Sequence, residues 1–409
     1  MAEAPIVRVL FLQGRSITTA PFLFVVWKTR NQGMMNVAFV NENTLGHTSY
    51  LPRFVECFGS HPEWDCFPTQ IDATPLPPNL RGSERGIRGL SKFGLDWQVT
   101  RWRRASSFNA AAKLSELSRN QRIDAIVVNT QSVGLELPRL LPGIPYWVAL
   151  DATFEQLARS PWFRPTSLSG WFHPITLRWL RRREKLLFSE ARGLLPWSEL
   201  AAESLRNEYG VPATRIHILP PSLKDPGASQ TAGRKPNKAN LLFIGGDFKR
   251  KGGHDLVEVW KSYFRSQAVL HVVTRSKVVP ENDLFVYDGV EAGSAEWRQL
   301  WEKADIFVFP SQMETFGIVL IEAMAFGVPA ISANTGAAQE LLGDGLAGMV
   351  LESRAESCLK NAIQTLLLDW ELRQRLAARG RERFLRDFEL GKNTKRLASL
   401  LHHQATNAG

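Results

Sequence analysis

The stretch Asp305–Gly336 restricts the possible fold more than any other part of this 409-residue chain. Asp305–Pro310 carries a continuous apolar run into a Pro-Ser turn, the pattern of a short buried strand. Ile318–Phe326 is apolar apart from Glu322 and stops at Gly327, with Pro329 close behind, as a helix is usually ended. The β-branched residues early in that segment also suit a strand. The Gly/Pro stop and the strand-like Ala330–Ala333 that follows decide for a helix.

A carboxylate alone in an apolar buried helix is costly unless something donates to it. Glu314 lies in the loop before the helix, with seven residues between it and Glu322. Thr315, Phe316 and Gly317 put backbone N–H groups at the helix N-terminus, a natural anion site. Carboxylates repel phosphate but accept hydrogen bonds from hydroxyls. The arrangement suits a nucleotide sugar, with its diphosphate on the amides and its ribose and hexose on the glutamates. Two structural readings stand beside this one. Ser311-x-x-Glu314 fits a helix capping box, and Glu322 fits a core carboxylate paired with Arg or Lys.

The length allows two domains, each with its own core. Apolar residues at 44% and charged residues at 22% are globular values, which excludes large-scale disorder. No apolar run reaches the length that spans a bilayer, and Met-Ala-Glu-Ala-Pro has no signal-peptide pattern. Cys57, Cys66 and Cys358 have neither zinc spacing nor an even framework, so they read as reduced thiols of a cytoplasmic protein. A net charge of +10 calls for an anionic partner or surface.

Along the chain, strands are expected at Ile6–Leu12, Val37–Val40, Ile123–Asn129, Tyr146–Leu150, Gly193–Ser198 and Arg215–Leu219. Helices are expected at Ala110–Leu117 and Glu199–Tyr209, while the Pro-, Gly- and Arg-rich residues 71–105 read as a long loop. The second half continues with strands Asn240–Ile244 and His271–Thr274, a helix from about His254 and another at Ala295–Lys303. Helices Glu356–Leu368, Trp370–Phe384 and Gly391–His403 close the chain. Strands alternating with helices argue for parallel sheets covered on both faces. The expected division is 1–222, a Pro/Gly-rich linker 223–238, 239–385, and a C-terminal helical segment 386–409.

Gly245–Gly253 is a glycine-rich turn between a strand and a helix. Its small residues would let backbone approach phosphate, and Lys249, Arg250 and Lys251 would neutralise it. A plain strand–helix connection is the alternative. Residues 160–188 interleave Trp, Phe, Arg and Lys, which suits an anionic membrane interface. An ordinary amphipathic helix with its aromatics turned inward has the same composition. No nucleic-acid-binding motif accompanies the charge, so nucleic acid is not an expected partner. His47, His61, His173 and His271 lack metal-ligand spacing, and there is no Asp-x-Asp motif.

Pro310-Ser311-x2-Glu314-Thr-Phe-Gly317-x4-Glu322-Ala resembles the signature of glycosyltransferase family 4, retaining enzymes of the GT-B fold. The resemblance covers about residues 190–390. It implies an α/β architecture of two Rossmann-like domains facing a cleft, the last helix crossing back onto the first domain. Glu314 would bind hexose hydroxyls, Glu322 the ribose, and the amides of Phe316 and Gly317 the sugar or phosphate, with Thr315 beside them. Lys251 matches the family's phosphate-binding Lys. The family's Arg falls at Gly246 or Asp247 here, so Lys249 or Arg250 would supply the second cation, with Gly246 as backbone. Gly336 matches the small-residue loop after the motif. Where the family shows a His-Asp pair, this chain has Leu150-Asp151, leaving Asp151 as an acceptor-side base or as a helix N-cap.

The implied activity is transfer of a hexose from a UDP- or GDP-sugar to a glycan or lipid-linked acceptor, without metal or other cofactor. Cell-surface polysaccharide or glycolipid synthesis at the inner face of the membrane is the implied setting. The departures at Gly246 and Leu150 also fit a non-catalytic GT-B protein that binds a membrane or a partner.

Overall fold

The computed structural model describes residues 34–43, 47–85, 98–159, 173–227, 237–343 and 345–406. They form two compact units. The first holds the described residues up to Trp197, then Ala201–Pro220 and those from Gly391 on; the second holds Ser198–Leu200 and Pro221–Leu390.

In the first unit β1 (Met35–Asn41), β2 (Cys66–Asp72), β3 (Ala125–Asn129), β4 (Tyr146–Leu150) and β5 (Gly193–Pro196) form a parallel sheet in the order β2-β1-β3-β4-β5. Helices α1 (His47–Gly59), α2 (Gln98–Asn120), α3 (Leu137–Leu140), α4 (Phe154–Arg159), α5 (His173–Glu190) and α6 (Glu199–Asn207) accompany it. All of β3 and β4 is buried, as expected of continuous apolar strands covered on both faces. Ile126, Val128 and Val148 share a core with Leu114 of α2 and Leu187 and Phe188 of α5. At the amino end of the sheet, one carboxylate clamps two strands. Asp124 Oδ2 accepts from the Asn36 backbone N–H at 2.8 Å and from Asn36 Nδ2 at 3.3 Å.

The second unit holds β6 (Ala239–Ile244), β7 (Ala268–Val273), β8 (Leu284–Tyr287), β9 (Ile306–Phe309), β10 (Ala330–Ala333) and β11 (Gly348–Leu351). They pair in parallel in the order β11-β10-β9-β6-β7-β8. This is the doubly wound arrangement, with its switch point between β6 and β9. Its helices are α7 (Gly253–Tyr263), α8 (Ala295–Lys303), α9 (Ile318–Phe326), α10 (Ala338–Leu342), α11 (Glu356–Leu368) and α12 (Trp370–Arg383). The last helix, α13 (Leu390–Thr406), runs into the first unit, where His402 Nε2 donates to the Trp64 carbonyl at 2.8 Å.

Helix α9 is apolar all round because it is covered all round, and Leu320–Phe326 are buried. Phe326 stacks on Trp301 at 5.9 Å and meets Trp297 edge-on at 5.2 Å. Gly327, with φ +66°, ends the helix in the left-handed conformation, and Arg381 Nη1 of α12 donates to the Ala325 carbonyl at 2.7 Å.

Several expectations need correction. The loop expected over 71–105 is cut at both ends, by β2 and by an α2 that begins at Gln98. Pro68 lies inside β2, which among the described residues is the edge strand of its sheet, where a missing N–H is tolerated. Helix α2 buries Ser106, Ser107 and Asn109 beside its alanines in place of larger apolar residues. The strand expected at Arg215–Leu219 is a 3₁₀ turn, Ala213–Arg215, followed by extended chain. His217 and Leu219 donate from there to Leu194 and Pro196 of β5. Helix α1, with Pro52 inside it, was not expected. Ile6–Leu12 and residues 160–172 lie outside the described residues.

Candidate functional site

Three loops converge at the carboxyl end of the second sheet. The turn after β6 holds Gly245–Gly252, the loop after β9 holds Pro310–Gly317, and the loop after β10 holds Thr335 and Gly336. The first two flank the switch point, where the loops of a doubly wound sheet part and leave a crevice.

Glycines allow the loops to meet backbone to backbone. Gly252 has φ +76°, and a Cβ there would lie 2.1 Å from the Pro310 carbonyl oxygen. Gly336 has φ +56°, and a Cβ there would lie 2.5 Å from the carbonyl oxygens of Glu314 and Thr315. Hydrogen bonds join the same loops. Gln312 N–H donates to the Arg250 carbonyl at 2.9 Å, Arg250 Nη1 to the Met313 carbonyl at 3.1 Å, and Ala337 N–H to the Thr315 carbonyl at 3.2 Å.

This framework places Lys251 against Glu314. Their side chains form an ion pair, mostly buried, and the Lys251 ammonium also lies 5.0 Å from the centre of the Phe309 ring. Arg250 is turned toward Met313 and toward Asp247, 3.4 Å away, whereas Lys249 is exposed. Gly246 is also exposed, and a Cβ there would meet nothing within 4 Å. Gly317, at φ +97°, directly precedes α9, and Leu320 N–H donates to the Gly317 carbonyl at 2.9 Å, which leaves Ile318 and Val319 as the first amides of the helix. Phe316 is buried, and Glu322 is buried on α9 at 8% exposure.

The capping-box reading of Ser311 and Glu314 does not hold. Ser311 Oγ donates to the Met313 carbonyl at 2.9 Å, Glu314 pairs with Lys251, and α9 starts only at Ile318. Lys251, Glu314, Arg250, Gly336 and the Thr315–Gly317 turn are therefore brought together, with Gly246 and Lys249 on the same glycine-rich turn.

Asp151 lies in the first unit, after β4. It does not cap α4: Thr153 Oγ1 accepts from Gln156 N–H at 3.2 Å, and Gln156 Oε1 accepts from Thr153 N–H at 3.0 Å. The Phe154 N–H goes to the buried carboxylate of Glu184 at 2.9 Å, which Gln131 and Tyr209 also serve. Burial pushes the Glu184 carboxyl up to about 7, against these hydrogen bonds and the charge of Arg103. The sequence reading passed over Glu42, Arg103, Thr130 and Glu184. One local signal was present: β1 and β3 are apolar strands that both end in Asn, followed by Glu42 and Thr130.

Among the described residues no three His, Cys, Asp or Glu side chains gather to hold a metal ion, and no helix is long and apolar enough to cross a membrane. The described part of α5 packs Trp179, Leu180, Leu187 and Phe188 inward and exposes Arg178, Arg182 and Lys185.

Comparison with known proteins agrees with this architecture. Residues 228–383 match the family "Glycosyl transferases group 1", and residues 69–222 match "Glycosyl transferase 4-like domain". A glycogen synthase of Mycobacterium tuberculosis is 26% identical over 244 residues, 54% of this chain and 56% of its own. A D-inositol 3-phosphate glycosyltransferase of Paenarthrobacter aurescens is 26% identical over 50% of this chain and 57% of its own. An uncharacterized 41.2 kDa protein from the cps region of Klebsiella pneumoniae is 32% identical over 28% of this chain and 33% of its own. The chain thus spans between a third and just over half the length of these relatives.

Among solved structures, sucrose-phosphate synthase from Thermosynechococcus elongatus superposes with a TM-score of 0.68 at 17% identity, covering 92% of this chain and 100% of the other. Anabaena HepE in complex with UDP-glucose superposes with a TM-score of 0.61 at 17% identity, covering 90% and 100%. The fold is two Rossmann-like units of GT-B architecture. The chain belongs to the GT-B glycosyltransferases of family 4 type.

Proposed function

We propose that this glycosyltransferase moves a hexose, with retention of configuration, from a UDP- or GDP-sugar to a glycan or lipid-linked acceptor. The observation that carries the reading is the meeting of Lys251 and Glu314 beside the N-terminus of α9, at the switch point of the second sheet. The bound UDP-glucose of the similar HepE structure supports a nucleotide-sugar donor. The K. pneumoniae relative from a cps region supports a role in cell-surface polysaccharide or glycolipid synthesis.

The roles follow from the chemistry of each group. Lys251 neutralises the leaving diphosphate, helped by the first amides of α9, the Gly246 backbone and whichever of Lys249 and Arg250 reaches it. Glu314 accepts from hexose hydroxyls, and Glu322 from the ribose. Thr315, Phe316 and Gly317 line the sugar and phosphate, and Gly336 keeps its loop against them. These cations and helix-end amides provide the counter-charge without a divalent ion. The leaving diphosphate sits beside the developing oxocarbenium charge and takes the acceptor's proton on the same face. Positioning and electrostatic stabilisation therefore supply the rate enhancement. The exposed Arg178, Arg182 and Lys185 support docking on an anionic inner membrane face, which flotation with anionic liposomes tests; equal recovery with neutral liposomes would sink it.

Thermal stabilisation by a panel of UDP-, GDP- and ADP-sugars tests the donor assignment, because a bound ligand raises apparent stability by mass action. One panel member should stabilise the chain, and Glu322→Ala should abolish that shift. Glu314→Ala should keep the shift and slow transfer. If neither substitution alters donor binding or rate, the assignment of roles is wrong.

A further inference from the structure

Lys251 and Glu314 neutralise one another, yet the reading above assigns each a different part of the donor. Their side chains form an ion pair, and each is only 15% exposed. A charge so far out of water is costly without a partner, so whatever takes one member of the pair must also provide for the other. The backbone gives the pair little room to part. Gly252, next to Lys251, lies so close to the Pro310 carbonyl oxygen that a Cβ there would stand 2.1 Å from it. Gln312 N–H donates to the Arg250 carbonyl at 2.9 Å, and Arg250 Nη1 to the Met313 carbonyl at 3.1 Å. On the other side of Glu314, Ala337 N–H donates to the Thr315 carbonyl at 3.2 Å, and Gly336 packs against the Glu314 and Thr315 carbonyls.

The two members differ in what can replace their partner. The Phe309 ring lies 5.0 Å from the Lys251 ammonium, a contact that persists whichever anion the ammonium faces. An ammonium only donates, so it serves a carboxylate or a phosphate oxygen alike. A carboxylate only accepts, so it needs an ammonium or hydroxyls. A nucleotide sugar supplies both replacements, its diphosphate for Lys251 and its hexose hydroxyls for Glu314. A bare nucleoside diphosphate supplies the first alone. It either shares Lys251 with Glu314, which sets phosphate oxygens beside a carboxylate, or takes Lys251 and leaves that carboxylate without its counter-charge.

Resting on the donor reading above, we propose that Glu314 competes with the diphosphate for Lys251 and that the hexose ends this competition. The pair thereby makes the site favour the intact nucleotide sugar over the nucleoside diphosphate that transfer leaves behind. Once the bond between hexose and diphosphate has broken and the hexose has joined the acceptor, Glu314 takes Lys251 back and the nucleoside diphosphate departs.

Isothermal titration calorimetry on the full chain tests this with UDP, GDP and ADP, each beside its sugars: UDP-glucose, UDP-galactose, GDP-mannose and ADP-glucose. The readout is the ratio of the affinities for the nucleoside diphosphate and its sugar. In Glu314→Gln, which keeps the shape and removes the charge, the nucleoside diphosphate should bind about tenfold tighter, the worth of a charge-assisted hydrogen bond set free at Lys251. The nucleotide sugar should bind that variant no tighter than the wild type. Glu314→Asp, which restores the charge, should return the nucleoside diphosphate toward wild-type affinity. Unchanged or weaker binding of the nucleoside diphosphate to Glu314→Gln, equal tightening of both ligands, or an Asp variant as tight as the Gln variant would each overturn the proposal and leave the donor reading standing. So would a wild type that binds a nucleoside diphosphate and none of its sugars. If no probe binds the wild type, the donor reading itself is struck and the proposal falls with it. Should Glu314→Gln misfold, Glu314→Ala carries the same test with the same expected direction.

Discussion

The two units use the same device at one end of their sheets and different residues at the other. In the first, Asp124 Oδ2 accepts from Asn36 N–H at 2.8 Å and Asn36 Nδ2 at 3.3 Å; in the second, Asp305 Oδ2 accepts from Asn240 N–H at 2.8 Å and Asn240 Nδ2 at 3.1 Å. Each Asp stands just before the strand beside the first strand of its sheet, and in both units its own N–H donates to the Asn carbonyl at 2.9 Å. At the carboxyl ends the likeness stops. The first unit presents Glu42 bonded to Thr130, with Arg103 stacked over Phe154, while the second presents glycines with Lys249, Arg250 and Lys251, the last two beside Asp247 and Glu314. At the amino ends the Asp–Asn clamps tie neighbouring strands together.

The largest expected effect lies at the basic end. Lys251→Ala should lower kcat/KM by about 10²- to 10³-fold, as loss of a pre-organised electrostatic group does. A variant within threefold of wild type in a transfer assay would remove the contrast between the two ends. Next come the clamps. Asp124→Ala and Asp305→Ala should each cost about 1–3 kcal/mol, because each strips hydrogen bonds from a backbone amide and a side-chain amide. Urea unfolding followed by hydrogen exchange should locate each loss in its own unit. A loss from only one of the two would show that the clamps are alike in geometry but not in weight.

The third test uses acidity. The Glu184 carboxyl is raised from 4.5 to about 7 by burial, so the folded first unit holds a proton that the unfolded chain releases. That contribution to stability is fully present below the unfolded value and is lost as pH rises through about 7. Urea midpoints across this range should fall for the wild type and stay flatter for Glu184→Gln; parallel curves would refute the assignment. The smallest effect is a gain. A side chain at Gly246 enters open space, so Gly246→Arg should add a cation beside the turn and tighten nucleotide-sugar binding by about threefold. Unchanged affinity by calorimetry would show that the turn already supplies the charge the diphosphate needs.

Much of the second unit was legible because its signals are local. Ala295–Lys303, Ile318–Phe326, Ala330–Ala333 and Glu356–Leu368 have the bounds read from the chain, each marked by periodicity or by a Gly/Pro stop. The first unit was harder to read. Pro68 stands inside β2, at the edge of the sheet among the described residues, and α2 buries the polar Ser106, Ser107 and Asn109. Glu42 and Arg103 carry no motif, and only the parallel pairing of β1 with β3 sets Glu42 beside Thr130, 88 positions later.

By itself the sequence determined that the chain alternates short apolar strands with helices, and so builds parallel α/β units, and that Glu314 and Glu322 flank a helix start. Those are consequences of side-chain periodicity and of where glycine and proline permit turns. The tertiary structure decided which distant loops touch. Lys251 meets Glu314 across 63 positions because strand order makes β6 and β9 neighbours, and because the glycines at 252 and 336 leave no Cβ to hold the backbones apart. Strand order is a property of the whole sheet, so no window of residues contains it.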